Sequence, residues 1–139
     1  MAEPNWRALL AYEDVELQRP ATPDAVERVE AALGTVLPAE LRALYLVSDG
    51  VYHRSGHWFV IWPLADVLQR NSDGWVGWES SGRRHLIGFG DDGTGDPFCV
   101  PRDGGAGVLI WHPIGQEAIR LADTLQGFWI GLNSGTITT

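Results

Sequence analysis

The chain has 139 residues, 45% of them hydrophobic, and its 18 acidic residues outweigh 10 basic ones, all arginine, for a formal net charge of −8. That composition supports a packed core and excludes a disordered class, and no apolar run reaches the roughly 20 residues that cross a bilayer. The negative balance argues against a nucleic-acid partner and suits a basic protein partner, unless it serves solubility alone.

Length points to a single domain spanning residues 1–139. Met1-Ala2-Glu3-Pro4 lacks the basic and apolar regions of a secretory signal, and the lone Cys99 has no internal disulfide partner, so the cytoplasm is the expected compartment.

Asn5 can cap a short helix through Trp6, Leu9 and Leu10, with Glu13-Asp14-Val15-Glu16 as a fading acidic continuation. Thr22-Pro23-Asp24 is a stronger start signal, with a capping hydroxyl, proline at the first helical position and an acid in the first turn. Val26, Val29 and Leu33 recur at helical spacing, and Gly34 stands where a left-handed cap is wanted. Leu37-Pro38 opens a second helix with Leu41, Leu44 and Tyr45 on one face and Gly50 after its end, which completes an αα-hairpin.

Beyond Gly50, Trp58-Phe59-Val60-Ile61-Trp62 reads as a strand ended by Pro63, and Leu64 to Leu68 as a helical turn or two. Asn71 to Arg84 is polar, glycine-rich and irregular. Leu86–Phe89, Phe98–Val100 and Val108–Trp111 form a strand meander with tight turns between them, and Ile119-Arg120-Leu121 adds a short strand. Asp123 can cap a last helix, in which Leu125, Phe128, Trp129 and Leu132 follow the 0, 3, 4, 7 pattern. The expected fold is α+β, with an antiparallel or mixed sheet of about four to six strands packed against the N-terminal helical hairpin and a C-terminal helix.

The order of these signals resembles the SUKH superfamily, the Smi/Knr-type domains related to cell-wall-assembly regulators. The carriers are the leucine-proline step and leucine-tyrosine pair in Leu37-Pro38-Ala39-Glu40-Leu41-Arg42-Ala43-Leu44-Tyr45-Leu46-Val47-Ser48-Asp49-Gly50, the Gly-Asp turn within Ile87 to Asp96, the valine-aromatic strand Val108 to His112, and the Phe-aromatic pair in Asp123 to Leu132. The likeness covers residues 22 to 133, with the Asn71–Arg84 loop and the density of tryptophan as departures. It implies a mixed sheet against helices and no catalytic residues. Bacterial members look like immunity proteins that neutralise toxins, and fungal members like scaffolds in cell-wall signalling.

The turn Asp91-Asp92-Gly93-Thr94-Gly95-Asp96 offers oxygen ligands for a hard cation, but it lacks the alternating acids and the closing glutamate of an EF-hand loop. Bracing the backbone is the favoured role, and contact of this acidic tip with a basic partner is a further one. His53 and His57 stand four apart, but Gly50 and Gly56 flank them and no acid or cysteine nearby completes a zinc set, so they are expected in a polar loop. Cys99 reads as a buried thiol, with neither His85 nor His112 placed by a motif to activate it. Trp58, Trp62, Trp111 and Trp129 are expected in the core. Trp75 and Trp78 either fill a core gap or present aromatic anchors to a partner. The resemblance, the charge of −8 and the absence of catalytic motifs together give a non-catalytic binder without cofactor or metal as the expectation, with Trp75, Trp78, Asp91, Asp92 and Asp96 as candidate partner-binding residues, and a small-ligand or metal-dependent enzyme centred on the acidic turn as the other class. The resemblance implies an immunity protein that occludes a basic toxin domain, or alternatively a regulatory scaffold in cell-envelope signalling.

Overall fold

A computed structural model describes residues 4–72 and 85–138. Helix α1 (Trp6–Leu9) starts at Asn5, whose side chain accepts from the Ala8 N–H, and α2 (Pro23–Leu33) starts at Thr22, whose hydroxyl accepts from the Ala25 N–H at 3.1 Å. Gly34 takes the left-handed conformation at φ +76° and ends α2 as its position suggested. Helix α3 (Ala39–Tyr45) follows, and the corner between the two helices is held by Glu30. Its buried carboxylate accepts from the Leu37 N–H at 2.7 Å and lies 3.6 Å from the Arg42 guanidinium. The helix expected to run to Gly50 stops at Tyr45, and Asp49 instead accepts from the Leu64 N–H at 2.8 Å. That bond opens α4 (Leu64–Ser72), a full helix where a turn or two was expected.

Seven strands form one meander in chain order: β1 (Val15–Leu17), β2 (Val51–His53), β3 (Trp58–Ile61), β4 (Leu86–Asp91), β5 (Pro97–Pro101), β6 (Val108–His112) and β7 (Glu117–Ala122). All neighbours pair antiparallel, which corrects the expected count of four to six and removes the mixed alternative. The two extra strands are β1, read as a fading helix, and β2, read as polar loop. Each has three residues, too few for a period to declare itself; β1 exists by pairing with β2, Val15 against His53 and Leu17 against Val51, and β2 by pairing with both β1 and β3.

Side chains alternate across the strands. Ile87, Phe89, Phe98, Val100, Val108 and Ile110 join the helices in the main core, while Leu86, Cys99 and Trp111 form a small cluster on the opposite face. Helix α5 (Leu125–Ser134) closes the main core with Phe128 edge-on to Phe98 and Phe89 at 4.7 and 6.1 Å. Its cap is Thr124, not Asp123; the hydroxyl accepts from the Gly127 N–H at 2.9 Å, and Asp123 pairs with Arg120. Trp129 ties the N-terminal segment to α5 by donating to the Leu9 carbonyl at 2.6 Å. Among the described residues, no helix is long and apolar enough to cross a membrane.

Two irregularities in β4 prepare the site. Gly90 comes so close to β3 that a Cβ there would lie 2.0 Å from the Val60 carbonyl oxygen, so only glycine lets the strands meet. Just past β3, Trp62 still donates its N–H to the Phe89 carbonyl at 2.8 Å, but Pro63 after it has no N–H to offer β4. Asn71, buried in α4 and not in a loop, fills that gap: its amide accepts from the Gly88 N–H at 2.9 Å and donates to the Gly88 carbonyl at 2.8 Å.

Candidate functional site

The β4–β5 turn is the hairpin that the Gly-Asp pattern announced, and its acids brace it. Asp91 takes three donors: Oδ2 accepts from the Trp62 indole N–H at 2.8 Å, Oδ1 from the Gly93 N–H at 2.8 Å, and its carbonyl from the Trp58 indole N–H at 3.1 Å. Asp92 Oδ1 accepts from the Thr94 N–H at 3.0 Å and from the Thr94 hydroxyl at 2.6 Å. These are side-chain-to-backbone turn bonds of the kind aspartate favours. Gly93 and Gly95 supply the positive φ that the reversal needs, +89° and +104°. Asp96 reaches sideways to β6, where its Oδ2 meets His112 Nδ1 at 2.8 Å. All three aspartates are half-buried along one lip of the sheet. Among the described residues no group of three or more His, Cys, Asp or Glu is gathered to hold a metal ion.

Beside this turn opens a cleft of about 240 Å³, bounded by the turn, the β2–β3 hairpin and the C-terminal half of α5. Buried Val60, Phe98 and Trp129 give it apolar walls; Asp91, Asp92, His53 and Asn133 give it polar ones, and half-buried Trp58 joins them. Trp58 is thus only partly the core residue expected, whereas Trp62, Trp111 and Trp129 are buried. A Cβ on Gly56 would overlap the Trp58 ring at 1.7 Å, so the β2–β3 hairpin folds directly onto the indole.

His53 and His57 are not loop neighbours in a metal set. His53 belongs to β2, and its ring stacks on Trp58 with centroids 4.6 Å apart. His57 sits in the following turn at φ +58°. His53, Asp14 and Ser55 do come together, but in an order that nucleophilic catalysis cannot use. The Ser55 hydroxyl donates to Asp14, Asp14 faces His53 Nε2 at 3.3 Å, and His53 Nδ1 already accepts the Gly56 N–H at 3.1 Å. Cys99 is fully buried, with its thiol 3.7 Å from the Pro97 carbonyl oxygen. Burial, reinforced by Asp49 and Asp66, raises the Tyr45 phenol well above its ordinary value; it stays protonated and donates to the Trp62 carbonyl at 2.6 Å.

The sequence singled out Asp91, Asp92 and Asp96, and the fold sets them on one turn; Trp75 and Trp78 lie outside the described residues. Trp58, Trp129 and Asn133 were not tied to that turn by any spacing, because strand pairing and α5 packing bring them there. Gly56 carried the one available local signal, a residue without a side chain two places before a tryptophan.

No curated protein matches the chain. Residues 20–130 match the family described as SMI1 / KNR4 (SUKH-1), close to the stretch of 22 to 133 on which the resemblance rested, and the match leaves α1 and β1 outside it.

Proposed function

The chain belongs to the SMI1 / KNR4 (SUKH-1) family, and from that premise we propose that it is a non-catalytic protein-binding domain, spanning residues 1–139, that acts in the cytoplasm as an immunity protein. It neutralises a basic toxin domain by occluding it. The family match over residues 20–130 carries this reading. The net charge of −8 supports it, since an acidic surface steers a basic partner and speeds encounter. The partner meets the lip formed by Asp91, Asp92 and Asp96, with Trp75 and Trp78 as further contacts. Bracing does not disqualify the aspartates: a carboxylate fixed in place presents its charge with less ordering cost than a free one.

The test is co-expression with the product of the neighbouring open reading frame. A stable complex, relief of that product's toxicity, and association that slows steeply as salt rises are expected. Failure to bind, with no toxic neighbour, overturns the reading. Recovery of several endogenous envelope-synthesis factors in place of one tight partner would favour the scaffold role instead.

A further inference from the structure

The cleft beside the acidic turn has a chemistry that narrows the partner further. Its volume of about 240 Å³ falls below the roughly 300–1,000 Å³ of clefts that enclose drug-sized ligands. It is the right size for one side chain of a partner. The walls then select which one. They combine indole surface from Trp58 and Trp129 with the carboxylates of Asp91 and Asp92, on a chain whose formal charge is −8. A cation is drawn to such a place. The His53 ring already packs on Trp58 at 4.6 Å, so a flat cation uses the part of the indole that borders the cleft while its in-plane N–H groups reach carboxylate oxygens.

The chain shows the aromatic half of this arrangement next to the same aspartate. The Arg70 guanidinium carbon lies 4.7 Å from the Trp62 ring centroid, and the Trp62 indole N–H donates to Asp91 Oδ2 at 2.8 Å. Trp58 mirrors Trp62, with its indole N–H on the Asp91 carbonyl at 3.1 Å, but its ring borders the cleft. No arginine is among the described residues that line that cleft. Asp91 Oδ1 accepts one N–H from Gly93, and a carboxylate oxygen has a second lone pair for another donor.

We infer that this cleft receives an arginine side chain of the basic protein partner, with Trp58 as the aromatic wall and Asp91 and Asp92 as the anionic one. This rests on reading the chain as a binder of a basic protein, and it adds the anchoring residue.

The test is a titration of the whole ¹⁵N-labelled protein, followed through its tryptophan indole N–H signals, with capped arginine (N-acetyl-arginine amide) and with its lysine and citrulline counterparts. Trp58→Phe identifies the Trp58 signal by deleting it. Arginine is expected to shift that signal saturably, lysine to bind about tenfold more weakly, and citrulline, the uncharged isostere, to leave it in place. Asp92→Asn, which spares the Asp91 brace, is expected to weaken arginine binding about tenfold, with an unchanged melting temperature showing that the fold is intact. An unmoved Trp58 signal, or citrulline binding as well as arginine, overturns the inference; lysine binding equally well overturns the guanidinium assignment. If arginine is silent while the partner complex still forms, the anchor falls and the partner reading stands. If arginine binds and no partner complex forms, the arginine site stands and the partner reading falls.

Discussion

Two tryptophans donate their indole N–H groups to Asp91, one to its carboxylate and one to its carbonyl, and their rings stand in different surroundings. Trp62 is 3% exposed, its N–H on the Asp91 carboxylate, its carbonyl on the Tyr45 phenol and its ring under Arg70. Each of these polar contacts is made within the chain, so its surroundings are architecture. Trp58 has the same N–H contact to Asp91, at the carbonyl, yet its ring borders the cleft that Asp91 and Asp92 also line. One aspartate thus braces both indoles, and under the proposed reading its charge also meets the partner.

Substitutions on the two sides separate these roles. The greatest loss is expected from Trp62→Ala, about 3–5 kcal/mol of stability, against about 1–2 kcal/mol for the half-buried Trp58→Ala. Denaturant melts of the two variants check the order, and equal losses would erase the distinction. Next comes Asn71→Ala on the Trp62 side, which strands the Gly88 N–H and carbonyl at the edge of β4. A loss of about 2–4 kcal/mol is expected, together with faster amide exchange at Gly88. Tyr45 gives a pH-dependent signature. Its phenol is raised in the folded state, so the unfolded chain ionises first once pH exceeds about 10. Stability is therefore complete below that pH and falls above it, and Tyr45→Phe should flatten the alkaline limb of a melting-temperature profile. The mildest change is expected at the far end of the acidic turn, where His112→Ala removes a partly exposed pair with Asp96 and should cost at most about 1 kcal/mol.

Capping chemistry made the helices legible in sequence. Thr22-Pro23 and Gly34 bound α2 as read, and the 0, 3, 4, 7 pattern placed α5 correctly within one residue of its cap. The acidic turn was legible for the same local reason, since aspartate and glycine announce a reversal by their own hydrogen bonds and φ. What stayed hidden depends on partners distant in the chain. Strands β1 and β2 are too short to show alternation, and Asn71 looks like a loop residue until Gly88 arrives opposite it. The cleft is of the same kind: His53, Asp91 and Trp129 become neighbours only when three separate elements pack. A site assembled from turn ends and a helix flank leaves no spacing to read.

Whether the acidic lip and its cleft form the binding face is decided by the hydrogen-exchange footprint of the full chain in complex with the basic partner proposed for it. Protection centred on Asp91–Asp96 and on the β2–β3 hairpin around Trp58, and lost in parallel with affinity in Asp92→Asn, is the expected result. Protection confined to α2 and the β7 edge, with the acidic lip and the cleft exchanging as in the free protein, would contradict it.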